Sequence, residues 1–291
     1  MRRENRSRPP LPLALLAAAL LAAPLAAPDA AADADYAARM HKEHAHEAPT
    51  ASPAVAPAPA RKILVQEAEY ATLGGKKIRG HLARPLEAAG PLPGLIVIQE
   101  WWGLNDNIKA MADRFAGEGY LVLAVDLYEG TVASTSEQAV ATMQAAMKDP
   151  ARLVDNLKQA YAYLRGAGAT KVGVVGWCFG GGWALETALA LGDGIAATVM
   201  YYGRVTSDPA EIAKLQSPLL GLFGALDQGI PVAGVRKFEA ALKAAGKKAE
   251  IVVYEGADHA FANPSGSRYQ EKAAADAWQK TLAFLAKHLG G

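Results

Sequence analysis

Six short apolar runs, interleaved with longer stretches of helical composition, constrain the fold of this 291-residue chain more than any other feature. The runs are GLIVIQ, YLVLAVD, KVGVVG, IAATVMYYG, PLLGLFGALD and AEIVVYEG. Helical stretches fall near residues 106–118, 136–147, 151–165, 180–191, 231–245 and 267–288. A strand with one wet face alternates apolar and polar side chains. These runs are apolar almost throughout, so both faces must be covered. The pattern predicts an α/β fold: a mostly parallel central sheet with helices on both faces. Upstream, KILVQEAEYATLGGKKIRGHLARP reads as two strands joined at Gly74-Gly75, a hairpin signal. No internal repeat is visible, and one domain is expected over residues 61–291.

The chain before that domain has a different composition. Arg2, Arg3, Arg6 and Arg8 precede an apolar run over residues 11–21, and small residues follow through Ala26-Ala27 and Ala30-Ala31-Ala32. Basic, then apolar, then small is the order of a secretory signal peptide. The apolar part is shorter than the roughly 20 residues a membrane helix needs. Residues 1–32 are therefore expected to be a signal peptide, and the mature protein to be exported, periplasmic in a host with two membranes. Residues 33–60 are rich in Ala and Pro and end in PTASPAVAPAPA. With few large apolar side chains, they are expected to form a disordered or extended spacer. Within them MHKEHAH carries His41, His44 and His46. Closely spaced imidazoles bind copper, nickel or zinc. The plainer expectation is a solvated patch, and no metal is assigned.

With 30 basic and 29 acidic residues interspersed, the formal net charge is +1. Such a balance gives no broad field for nucleic acid or an anionic membrane surface. A small molecule is the expected partner, and no cofactor is required. Cys178 is the only cysteine, so an oxidising compartment offers it nothing to pair with inside the chain.

Reactive groups of such a sheet lie at the carboxyl ends of its strands. VGVVGWCFGG places Cys178 in a Gly-x-Cys-x-Gly turn between a strand and a helix, the arrangement of a nucleophile elbow. The helix N-terminus behind it favours a thiolate. Asp227 ends a second strand in GALDQGIP, and His259 follows the last strand in VVYEGADHAF. The order Cys178, Asp227, His259 is that of nucleophile, acid and histidine in the α/β-hydrolase fold. Asp258 competes as the acid, but it adjoins His259 in the chain and is poorly placed to reach its own neighbour's Nδ1. Glu100 and Trp101 end the strand of VIQEWWG. The backbone N–H groups of Trp101 and Phe179 occupy the positions of an oxyanion hole. Glu100, flanked by tryptophan, is expected to have a perturbed pKa and to handle a proton beside the thiol. Trp102, Tyr128, Tyr202 and Phe261 are further candidates for a pocket lining. His81 and His288 carry no functional expectation.

Across residues 61–291 the wording VIQEWWG, VDLYEG, GWCFGG, MYYG, FGALD and YEGADHAFANPSG…RY resembles the dienelactone hydrolases (carboxymethylenebutenolidases). The resemblance implies an α/β-hydrolase with a Cys178–Asp227–His259 triad that cleaves ester or lactone bonds through an acyl-enzyme. It also implies that Glu100 meets the resting thiol and helps generate the thiolate as substrate enters. Two departures stand out. Dienelactone-cleaving members carry carboxylate-binding arginines where this chain has Gly130 and Asn263. Arg268, further along the last loop, is a candidate replacement. Two other readings use the same residues: a general carboxylesterase or thioesterase, and a non-catalytic exported protein that binds a ligand or metal.

Overall fold

The computed structural model describes residues 30–45, 47, 57–88 and 90–290, with side chains from residue 35 onward. Hairpin strands β1 (Ile63–Leu73) and β2 (Lys76–Pro85) come first. They are followed by β3 (Gly94–Ile98), β4 (Leu121–Ala124), β5 (Val172–Trp177), β6 (Ile195–Tyr201), β7 (Leu219–Gly224) and β8 (Ala249–Tyr254). These make one eight-stranded sheet in the order β1-β2-β4-β3-β5-β6-β7-β8. Strands β3 to β8 are parallel, and β1 and β2 are antiparallel. This is the α/β-hydrolase architecture. The six apolar runs are its six parallel strands, and β3, β4, β5 and β7 are buried along their whole length.

The helices are α1 (Ala30–His44), α2 (Asp106–Gly117), α3 (Ser136–Met147), α4 (Pro150–Gly166), α5 (Phe179–Leu191), α6 (Pro209–Lys214), α7 (Val232–Ala244) and α8 (Glu271–Leu289). Polar caps start several of them. Asn105, Thr135 and Asp149 each accept a backbone N–H of the first turn through the side chain. Helices α2 and α8 share a face, where Phe115 and Trp278 rings lie 4.6 Å apart. Helices α4 and α5 pack together on the sheet's other face. From β3 the chain crosses to β4 on one side and then returns to β5 on the other. That reversal opens a crevice outside the carboxyl ends of β3 and β5.

Two expectations need correction. Residues 33–60 do not form a spacer throughout, because residues 30–44 form α1. Its Tyr36, Ala37, Met40 and His44 are buried against the domain. Tyr36, Met40 and His44 repeat every four residues, along one face of the helix. Alanine supplies helix propensity between them. Residues 30–32, expected to close the signal peptide, begin that helix, whereas residues 1–29 and His46 lie outside the described residues. His81, which carries no functional expectation, bonds Asp113 through Nε2 at 2.7 Å. Among the described residues no helix is long and apolar enough to cross a membrane.

Candidate active site

Strand β5 delivers its chain into α5 through a turn centred on Cys178, whose φ is 54° and ψ −118°. A non-glycine residue there is strained, and such strain persists only where the surroundings over-determine it. They do. The Cys178 N–H donates to the Tyr201 carbonyl at 3.1 Å, and its own carbonyl accepts from the Gly181 and Gly182 N–H groups. The flanking glycines are required by close approach. A Cβ on Gly176 would lie 2.0 Å from the Gly180 carbonyl oxygen, and one on Gly180 would lie 2.4 Å from that of Gln99. Phe179 opens α5, so its N–H belongs to the helical turn that has no intrahelical acceptor.

His259 comes from the loop after β8 and is fully buried. Its Nδ1 lies 2.8 Å from Asp227 Oδ2, while Asp227 Oδ1 accepts the Ile230 N–H at 2.7 Å. Asp258 instead accepts the backbone N–H of His259 at 2.7 Å, so Asp227 is the acid that orients the ring. The charges support one another. Burial pushes the Cys178 thiol up, but the neighbouring His259 and His44 imidazoles outweigh it and hold the thiol at about 6. Burial alone would lower His259, yet the Asp227 carboxylate and the thiolate raise it well above its ordinary value. Both shifts favour the thiolate–imidazolium form of the pair. Asp227 stays ionised, because His259 overcomes the effect of its burial.

One family model, that of the Dienelactone hydrolase family, matches residues 78–289. The chain belongs to that family. Curated relatives include a protein from Methylorubrum extorquens, 33% identical over 78% of this chain and 85% of its own. Another, from Escherichia coli O157:H7, is 35% identical over 75% of this chain and 84% of its own. Both are provisionally named carboxymethylenebutenolidase. A crystal structure from Klebsiella pneumoniae, provisionally described as a dienelactone hydrolase, is 30% identical with a TM-score of 0.71. It is covered over its full length and matches 78% of this chain. The protein is thus a hydrolase of the dienelactone hydrolase family on an α/β-hydrolase fold.

Against the family pattern, Glu100 keeps its place at the end of β3 but has found other partners. Its carboxylate accepts from Asn263 Nδ2 at 2.9 Å and lies 3.5 Å from the Tyr202 hydroxyl. Burial raises it to about 7, helped by the charge of Cys178. Asn263, at a position where dienelactone-cleaving members carry arginine, is thus engaged with this carboxylate. Gly130 lines a separate groove of about 470 Å³ beside the hairpin, away from the thiol. Trp101, Trp102, Tyr128, Tyr202 and Phe261 are all buried. The Tyr202 ring centroid is 5.1 Å from that of His259 and 5.4 Å from that of Phe261. The Tyr128 hydroxyl and Trp101 Nε1 are buried without a hydrogen-bond partner among the described residues.

Helix α1 lies outside the family match and is the part of the site that sequence reasoning missed. Met40 Sδ is 4.0 Å from Cys178 Sγ, which leaves the thiol only 1% exposed. The His44 ring stacks 4.4 Å from Trp101 and meets His259 edge-on at 5.2 Å. Arg268 does not face an open pocket: it pairs with Glu43 at 2.8 Å and Glu47 at 3.0 Å, fastening the segment in place. The available signal was the spacing of Tyr36, Met40 and His44.

Proposed function

We propose that this protein hydrolyses carboxylic ester or lactone bonds with Cys178 as nucleophile, His259 as proton carrier and Asp227 as its orienting acid. The observation that carries this reading is a strained, glycine-flanked cysteine lying next to a buried imidazole whose far nitrogen is held by a buried carboxylate. The thiolate attacks the carbonyl carbon and forms a C–S bond, and the carbonyl electrons move to oxygen. Backbone N–H groups of Trp101 and Phe179 are assigned to that oxyanion. As the tetrahedral species collapses, the C–O bond breaks and the His259 imidazolium gives its proton to the leaving alkoxide. Acylation removes the thiolate charge, so His259, now neutral, takes a proton from water. The resulting hydroxide attacks the thioester and releases acid and thiolate.

The reading draws on the basic, apolar and small order of residues 1–32 for export to the periplasm or outside the cell. The substrate class is esters and lactones with good leaving groups, which a thiolate displaces more readily than amides. Helix α1 lies over the thiol, so entry requires Met40 and His44 to move aside. Hydrolysis of an activated aryl acetate and of unsaturated lactones, by the full chain and its Cys178→Ala variant, tests the assignment. Activity confined to the parent protein supports it. Equal rates in both would remove Cys178 from the reaction.

A further inference from the structure

Two carboxylate–imidazole pairs, contributed by opposite ends of the chain, converge on one sulfur atom. Asp227 holds His259 Nδ1 at 2.8 Å, and Glu47 holds His44 Nδ1 at 2.6 Å. Arg268 also approaches His44 Nδ1, at 2.9 Å. The Glu47 carboxylate is closer and can only accept, so Nδ1 carries a proton, and Nε2 offers its lone pair to a metal once its own proton leaves. The Nε2 atoms of both rings are buried and have no hydrogen-bond partner among the described residues. One ligand atom each from His44, Cys178 and His259 lies within 4.8 Å of the others, and all three residues are buried.

Hydrolysis accounts for one of these imidazoles, not two. A thiolate with two imidazoles, each oriented by a carboxylate on its other nitrogen, is a zinc donor set with its outer partners already in place. Magnesium and calcium require oxygen ligands and are disfavoured here. Tetrahedral zinc bonded at about 2.3 Å to sulfur and about 2.0–2.1 Å to nitrogen needs ligand atoms roughly 3.3–3.6 Å apart. The three atoms already lie within 4.8 Å of one another, so they need to close by at most about 1–1.5 Å.

We propose that His44, Cys178 and His259 form a three-ligand zinc site, with the fourth position open to water. Binding displaces protons from the thiol–imidazole pair to solvent, and no electron transfer is involved. Zinc then engages both the sulfur lone pair and His259 Nε2, so the loaded protein is a blocked resting form. The blocking, though not the binding, rests on the reading of Cys178 as nucleophile.

The test uses the full chain, stripped with a chelator and titrated with Co²⁺ as a visible substitute for Zn²⁺. The site predicts one Co²⁺ per chain and a near-ultraviolet thiolate-to-cobalt band that one equivalent of Zn²⁺ removes. The band should vanish in Cys178→Ser and weaken in His44→Ala. Glu47→Gln keeps the ligand and removes its outer partner, and should weaken Zn²⁺ binding by about 10–100-fold. Circular dichroism melts establish that each variant is folded. No band, or a band indifferent to His44→Ala in folded protein, overturns the site. So does Co²⁺ binding undiminished in Cys178→Ser, which would place the ion on the histidine segment alone. Aryl acetate hydrolysis with and without chelator is read separately. Absence of hydrolysis in both would count against the hydrolase assignment, and the cobalt band would still decide the zinc site.

Discussion

Cys178 reaches the thiolate state because two imidazoles outweigh the burial of its sulfur. With the thiol held at about 6, the thiolate, the attacking form in the proposed mechanism, is favoured above that pH and lost by protonation below it. We expect kcat/KM for an activated aryl acetate to fall as pH drops through about 6, with the slope of a single proton. An unchanged rate down to pH 5 would contradict the thiolate. Asp227 is the other residue on which the proposed chemistry turns, since it holds His259 Nδ1 and raises its pKa. Asp227→Asn should lower kcat on the order of 10⁴-fold, as loss of a triad carboxylate does elsewhere, with little change in the far-ultraviolet spectrum. These three residues were legible in the sequence because each ends a strand in the required chain order. The choice of Asp227 over Asp258 was legible too, since chain neighbours rarely face one another. The partners of Glu100 were not. Asn263 and Tyr202 reach it from separate loops, 163 and 102 residues along the chain.

At the scale of elements, the elbow is a backbone structure before it is a chemical one. Strand β5 and helix α5 approach so closely that the Gly176 and Gly180 positions meet neighbouring carbonyl oxygens, which cannot move as a side-chain end can. Gly176→Ala should therefore cost more than ordinary overpacking, at least about 3 kcal/mol, read as a lower urea midpoint or loss of soluble protein. A midpoint within error of the parent's would show that the turn relaxes. The parallel strands were readable because double-sided burial leaves no polar alternation. Several helix starts carry polar caps, Asn105, Thr135 and Asp149 among them. Helix α1 was hidden by its alanines, which lower the apolar content of the segment while raising its helix propensity. The short α6 escaped because six residues carry too little periodicity to register.

The whole molecule combines a family domain with a helix from before it, held over Cys178 by Arg268, Glu43 and Glu47. Arg39 adds a bond from its Nε to the Gly229 carbonyl at 3.2 Å. The eight-stranded sheet uses no residue of α1. Deleting residues 1–47 should leave a cooperative thermal transition while Cys178 alkylates faster with iodoacetamide. An unchanged alkylation rate would show that α1 does not control access. The central claim, that Cys178 carries the acyl group, is tested most directly by mass spectrometry. Protein quenched during turnover of an activated aryl acetate is digested and its acetylated peptides are located. The account predicts an acetyl group on the peptide containing Cys178, absent from Cys178→Ala. Turnover with no acetyl on that peptide, and persisting in Cys178→Ala, would contradict it.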